Sequence, residues 1–536
     1  MEKFIKKIKL PFPLISQASG SLITFLWWST VLLWLILSIG WRPLKSPDEA
    51  RYVSVAWEML NIGQWWLPTI NGMPFFHKPP LYYWLTELSL YGCGINAFCL
   101  RLVPVSAAFA TCLVLFFFIR RYFSTTLAYV TILVLVTLPF FYFAAQFSNP
   151  DMLVSTFTTL TILATAHAIY LKESDRPHQK MLILAYISAA LGILSKGLIA
   201  IILPGLVIVS WMLLTNRAKQ IVTLFSWRGF AGLLLIAVPW VLWVEFHYPG
   251  FTKYFVIHHH FERYTQVNFN NKQPFWFFFV LLPLLSIPWS LCLLKSGRSI
   301  MSSMSDKQKD IMTLMITWVS IILLFFSWPL SKPPGYILPV LPAFAALIAM
   351  IIVQKLPGER LFKVLNILLL LAAVLCLCAI KITQIHDTQK SGALLSNYLK
   401  QQVNPEDKVI LLDKYQYDLR SSLGLHNPVG VVDAWDANNV DRYDNWRREL
   451  HEAGQFAQFP TSDILILPQH LDRAICTQAV GQIWIIGHQW QERSVILSQI
   501  KPIYILGDLP IWQITQKTNS RACQHIMENH LLKAPD

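Results

Sequence analysis

The sequence predicts a polytopic α-helical membrane protein with about 11–13 transmembrane helices, juxtamembrane helices in its first outer loop and a C-terminal α/β domain. Three observations predict it. Hydrophobic residues make up 54% of the 536-residue chain and charged residues 14%, too apolar for an ordinary soluble protein of this length. Apolar runs long enough to cross a hydrocarbon layer of roughly 30 Å in about 20 helical residues recur through the first two thirds of the chain. After residue 382 the composition turns to mixed polar residues with short apolar runs at helix-length separations.

The apolar runs fall near 21–40, 98–119, 126–146, 152–171, 181–195, 198–215, 229–245, 275–294, 311–329, 337–353 and 362–380. Adjacent short runs divide in more than one way, so the count carries an error of about two helices. The formal charge of +14 comes from basic residues scattered over short loops rather than gathered in one stripe, which argues against nucleic acid as a partner. Placing Lys3, Lys6, Lys7 and Lys9 in the cytoplasm also places Arg120, Arg121, Lys172, Arg176, Lys180, Arg217, Lys219, Lys295, Arg298, Lys355 and Arg360 there, as the positive-inside rule requires. The opposite face then receives 41–97, the turn at Asn149–Asp151, the loop 246–273, Ser331–Tyr336 and everything after about residue 382. The first run is long, rich in Trp and without a small-residue cleavage pattern, and reads as a signal anchor.

Two domains are expected: 1–382 in the membrane, with 41–97 as its first outer loop, and 383–536 outside it. Within the loop, Asp48–Asn61 and Lys78–Leu90 are amphipathic and helix-like, with Trp57, Trp65, Trp66, Tyr82, Tyr83 and Trp84 suited to the headgroup level. Pro68 and the Asn71–Gly72 turn signal connect them. In the tail, Lys408–Asp413, Val429–Asp433, Asp463–Leu467, Ile483–Ile486 and Tyr504–Gly507 read as strands of a mainly parallel sheet covered by helices. No Gly-rich phosphate loop follows any of them, so no nucleotide cofactor is expected. Cys112, Cys292, Cys376 and Cys378 lie in apolar runs, where packing is the default. Cys476 and Cys523 share the exported tail, and its oxidising compartment makes a disulfide between them an even alternative to free thiols.

The residues able to carry chemistry collect on the outer face. Asp48, Glu49 and Arg51 stand just beyond the first span, with Asp48 and Arg51 three apart on one helix face; a helix N-terminus favouring an acid explains one carboxylate by itself. Lys78 sits before Pro79–Pro80, a cation on the face where cations are disfavoured. Asp151 opens the fourth span after Asn149–Pro150, where a helix cap is the plainer explanation. The loop 246–273 adds His258, Glu262 and Arg263, and the proline-stiffened Ser331–Tyr336 adds Lys332 and the Tyr336 phenol. Together, Arg51, Lys78, Arg263 and Lys332 match a phosphate held at the bilayer edge by charge-assisted hydrogen bonds, whereas ordinary headgroup binding gives no reason for Asp48 and Asp151.

The stretches PDEARYVSVAWEMLNIGQWWLPTINGMPFFHKPPLYYWL at 47–85 and SKPPGYILPVLPA at 331–343 resemble the aminoarabinose lipid A transferases (ArnT). These sit within the GT-C glycosyltransferases, which also include protein O-mannosyltransferases. The resemblance is clearest over residues 20–345. It implies a GT-C fold with a periplasmic α/β tail, an undecaprenyl-phosphate sugar donor and lipid A as acceptor, among membrane lipids. It also implies that Asp48 and Asp151 are the two catalytic acidic positions and that Arg51, Lys78, Arg263 and Tyr336 engage the carrier phosphate. In relatives the residue before the matching lysine can be Glu and can join a later His at a metal; here it is His77, and His77 with His258 is the corresponding candidate for a divalent ion such as zinc.

The expected reaction is direct displacement with inversion at the anomeric carbon, with the cations neutralising charge that develops on the leaving phosphate. A phosphate acceptor is already anionic and needs no general base, which leaves Asp48 to orient the acceptor or aminosugar; a hydroxyl acceptor on a glycan or a protein makes Asp48 the base. A lipid-carrier flippase, the alternative from another class, calls for charges along a membrane pathway, and the spans are nearly free of them.

Overall fold

Prolines and glycines decide how the apolar runs of this chain are cut into helices. The computed structural model describes residues 20–257, 271–295, 304–356, 358–390, 392–436, 440, 444–476, 481–488, 494–515 and 523. These form two compact units, one of 20–42, 78–257 and 271–386, the other of 43–77 with the described residues from 387 onward. Residues 43–77, expected as a loop of the membrane domain, thus pack with the C-terminal segment.

The first unit holds α1 (Gly20–Ile36) and, after α2 (Asp48–Ile62) of the second unit, α3 (Leu81–Cys93), α4 (Ala97–Tyr122), α5 (Thr125–Thr137), α6 (Pro139–Ala145), α7 (Asp151–Glu173), α8 (Gln179–Lys196), α9 (Ile199–Leu214), α10 (Trp227–His247), α11 (Phe277–Leu284), α12 (Asp306–Ser327), α13 (Leu341–Lys355) and α14 (Gly358–Lys390). Among the described residues, six helices are long and apolar enough to cross a membrane: α4, α7, α10, α12, Pro334–Lys355 and Gly358–Thr388. The pair α5 and α6, bent by 69°, makes a seventh if taken as one span, and Leu22–Ile36 and α9 are shorter apolar helices.

This is fewer than the eleven runs of the sequence because several runs are interrupted. Pro139 opens α6, where its missing N–H costs nothing, and so divides the run 126–146. The run 275–294 becomes α11, which ends just past Pro283, followed by a 3-10 turn at Trp289–Lys295. The helix α7 is central, with 83% of its apolar window buried, against 28% for α10 and 22% for α14. Two buried arginines close the end of α1: Arg42 donates to the Gln146 carbonyl at 2.7 Å, and Arg101 to the carbonyls of Ile39 and Arg42 at 2.6 and 2.9 Å. At the far end of the helices Arg217 pairs with Glu173 and Asp310 at 2.6 and 2.7 Å, tying α7 to α12.

In the second unit, α2 is followed by a hairpin, β1 (Thr69–Ile70) and β2 (Met73–Pro74), turned by Asn71 and Gly72 at φ 52° and 80°. Positive φ at both central residues is the requirement that Asn-Gly meets. The C-terminal sheet has the order β5-β4-β3-β6-β8-β7. Here β3 (Lys408–Leu412), β4 (Gly430–Val432), β5 (Leu465–Ile466) and β6 (Ile483–Ile486) are parallel, and an antiparallel hairpin of β7 (Tyr504–Leu506) and β8 (Leu509–Ile514) extends the sheet. Ile410, Leu412, Val432, Ile466, Ile485 and Trp512 build its core. The thiols of Cys476 and Cys523 are joined in a disulfide, and a second bond, unforeseen in the sequence, joins Cys93 to Cys99 in the first unit. Cys112 and Cys376 are free and buried, as packing predicted, whereas Cys378 is exposed on the helix surface.

Candidate active site

In the first unit, the turn before α7 and the turn before Pro334–Val340 bring chemistry together. Pro150 starts α7 and Asp151 is its first residue, where the free N–H groups of a helix favour a carboxylate. Asn149 holds it from both sides: the Asn149 side-chain amide donates to Asp151 Oδ2 at 3.2 Å, and the Asp151 N–H donates to Asn149 Oδ1 at 3.0 Å. Ser148, one residue earlier, bonds to the Tyr82 hydroxyl at 2.8 Å, which fastens α3 to this turn.

The partner of Asp151 is Lys196, the last residue of α8, whose ammonium pairs directly with Asp151 Oδ1. The same ammonium lies 5.0 Å from the centre of the Tyr336 ring, a cation held by a carboxylate on one side and an aromatic face on the other. Gly335 completes the cluster, since a Cβ there would overlap Asp151 Oδ2. Asp151, Lys196, Gly335 and Tyr336 therefore form one centre. Both charged side chains keep about a fifth of their surface exposed, 19% for Asp151 and 18% for Lys196.

Sequence reading had singled out Asp151 and Tyr336 but not Lys196. The signal is Ser195-Lys196-Gly197, a charged break between two apolar runs. Lys332 sits differently from expectation. Lys332 is 1% exposed, and its ammonium donates to the Gln273 carbonyl at 3.0 Å and to the Pro329 carbonyl, so it braces the turn instead of facing solvent. Burial holds its pKa below the usual lysine range. Lys78 stands partly exposed just before α3.

The second unit holds the remaining described candidates. Asp48 begins α2, half exposed, with Lys45 at 3.3 Å. Arg51 is three residues on, and its guanidinium pairs with Glu449 of the C-terminal segment. His77 meets Glu452 through Nε2 at 2.9 Å and stacks on Phe75 with ring centres 4.4 Å apart. His258 and Arg263 lie outside the described residues. Among the described residues, no group of three or more His, Cys, Asp or Glu side chains is arranged to hold a metal ion. His77 Nε2 is engaged by Glu452.

Residues 77–243 match the family described as dolichyl-phosphate-mannose-protein mannosyltransferase. An undecaprenyl phosphate-alpha-4-amino-4-deoxy-L-arabinose arabinosyl transferase of Aeromonas salmonicida is 29% identical over 358 residues, 66% of this chain and 64% of the relative. Its namesake in Edwardsiella ictaluri is 30% identical over 335 residues, 61% of this chain and 59% of the relative. The chain thus spans less than two thirds of the length of these curated relatives. The fold matches that of ArnT from Cupriavidus metallidurans bound to undecaprenyl phosphate, with a TM-score of 0.77 at 20% identity, covering 93% of this chain and 99% of that one. The chain is thus similar in sequence to these aminoarabinosyl transferases over about two thirds of its length, and it has the fold of that ArnT structure over nearly all of it.

Proposed function

We propose that this protein transfers a sugar, 4-amino-4-deoxy-L-arabinose, from undecaprenyl phosphate to a phosphate of lipid A at the periplasmic face of the bacterial inner membrane. The observation that carries the reading is the Asp151–Lys196–Tyr336 centre, assembled at one end of the helix bundle from segments that include the second family-like motif. In this reading the acceptor phosphate attacks the anomeric carbon from the face opposite the carrier. The carbon–oxygen bond to undecaprenyl phosphate breaks, and the electron pair stays on the leaving phosphate. By the family resemblance, Lys78, Arg51 and Arg263 are the cations that neutralise that charge. Lys196, already neutralised by Asp151, helps to hold the reacting groups without leaving an isolated cation at the membrane edge. Asp48, half exposed, orients the acceptor or aminosugar; no proton needs to be removed from an anionic phosphate.

The outward placement has its own support. Both disulfides, Cys93–Cys99 and Cys476–Cys523, fall in segments that the distribution of Lys and Arg assigns to the outer face, where thiols are oxidised. The match of 77–243 to a protein mannosyltransferase family favours one second reading, transfer to a hydroxyl on protein, with Asp48 as general base. Lipid A mass spectra before and after deletion of the gene separate the two. A lost aminoarabinose-sized increment supports the lipid A reading, and unchanged spectra under conditions of expression contradict it.

A further inference from the structure

The helix α15 (Trp446–Gln455) of the C-terminal segment carries two carboxylates three residues apart, Glu449 and Glu452, and both reach back to the first outer segment. Each is used in the same way. Glu449 accepts from the Tyr417 hydroxyl through Oε2 and from the Arg51 guanidinium through Oε1. Glu452 accepts from Arg448 Nε through Oε1 at 2.8 Å and meets His77 Nε2 through Oε2 at 2.9 Å. In both relays one oxygen is fastened to the C-terminal segment and the other holds a side chain from 43–77. Positions i and i+3 share a helix face, so one helix presents both.

We infer that Glu449 is a positioning residue for Arg51, and that Glu452 acts likewise on His77, the residue before Lys78. The inference rests on the reading above in which Arg51 engages the carrier phosphate. Arg51 is a long side chain with 22% of its surface exposed, and without a fixed partner it samples many rotamers. Glu449, 7% exposed, is itself fixed by Tyr417 and leaves Arg51 few of them. Tyr417 remains a donor because burial and the adjacent carboxylate push its hydroxyl pKa well above the usual range. Five N–H groups on a guanidinium allow one edge to meet Glu449 and another to meet a phosphate.

The test uses the full-length protein in lipid nanodiscs and measures binding of undecaprenyl phosphate, with no sugar and no acceptor, to the parent, Arg51→Ala, Glu449→Ala, Tyr417→Phe and the Arg51→Ala/Glu449→Ala double variant. Glu449→Ala is expected to weaken binding about tenfold, comparably to Arg51→Ala, and Tyr417→Phe about threefold. The double variant is expected to bind no more weakly than Arg51→Ala alone, since both act through one guanidinium. Donor kcat/KM falls in the same order, and Glu449→Ala lowers it by no more than Arg51→Ala does, because it acts through that guanidinium. Parent binding that is unchanged or tightened by Glu449→Ala, or losses that add in the double variant, would overturn the positioning role alone. A parent protein that binds no undecaprenyl phosphate would instead sink the carrier reading, and the positioning role with it. Tyr417→Phe, which removes one hydroxyl, carries the test if Glu449→Ala does not fold.

Discussion

Lys196 closes α8 with its ammonium on the carboxylate of Asp151, the residue that opens α7, 45 positions earlier. Asp151 is the acidic residue in the first turn of α7 and Lys196 the basic residue in the last turn of α8, and together they set a neutral, oriented dipole beside Tyr336. Changing one partner leaves the other charge partly buried and uncompensated. Lys196→Met and Asp151→Asn are each expected to lower transfer by about 10²-fold, the scale of losing one oriented electrostatic group at a reacting centre. Gly335→Ala should match them, because its Cβ displaces the Asp151 carboxylate. Initial rates of the purified variants check this, with circular dichroism confirming unchanged helix content.

Glu58 makes a second kind of prediction, about stability. It is fully buried, accepts the Asn71 and Gly72 N–H groups at 2.6 and 2.9 Å, and pairs with Arg420 at 3.0 Å. One carboxylate thus satisfies the β1–β2 turn and neutralises a buried guanidinium. Glu58→Ala leaves all three donors behind and is expected to cost about 3–5 kcal/mol, read as a lowered thermal midpoint of the purified protein. An unchanged midpoint would show that the turn finds other partners.

The disulfides predict a covalent map. Non-reducing peptide mapping of protein taken from membranes should recover Cys93 linked to Cys99 and Cys476 linked to Cys523, with Cys112 and Cys376 as free thiols. Cys476→Ser opens a loop closed across 47 residues and should destabilise the C-terminal segment by about 4 kcal/mol on the chain-entropy estimate. Limited proteolysis measures it. Free thiols at all four positions would contradict the outward placement of both segments.

Alkaline pH should loosen the second unit. Burial pushes the hydroxyls of Tyr415 and Tyr417 well above their usual range, and the Glu58 and Glu449 carboxylates add to it. A folded-state pKa raised above the unfolded value near 10 gives stability that is complete below pH 10 and is lost as pH rises through the folded values. Thermal midpoints of the C-terminal segment should therefore be insensitive to these groups up to about pH 10 and fall above it. Tyr417→Phe should flatten part of that fall.

The readable part of this molecule was what is written locally. The outer-face motifs stood out because paired prolines, acids and cations are rare beside apolar spans, and the Asn71–Gly72 turn appeared where its sequence placed it. Strand β8 was missed because Pro510 interrupts its pattern, although the Gly507–Asp508 pair that turns β7 into it is a recognisable hairpin signal. The pairing of Arg51 with Glu449 spans 398 positions, and no local pattern tells a phosphate-facing arginine from one shared with a distant carboxylate. Lys332 shows the same limit in reverse: its sequence setting matches that of Lys78, and only the fold turns its ammonium onto the carbonyls of Gln273 and Pro329.

The central claim is tested most directly by transfer in vitro from a panel of undecaprenyl-phosphate sugars to lipid A, comparing the purified parent protein with Lys78→Ala. Product with the aminoarabinose donor, lost in the variant, is the predicted result. No product from any donor, or product that Lys78→Ala forms as fast as the parent, would contradict it.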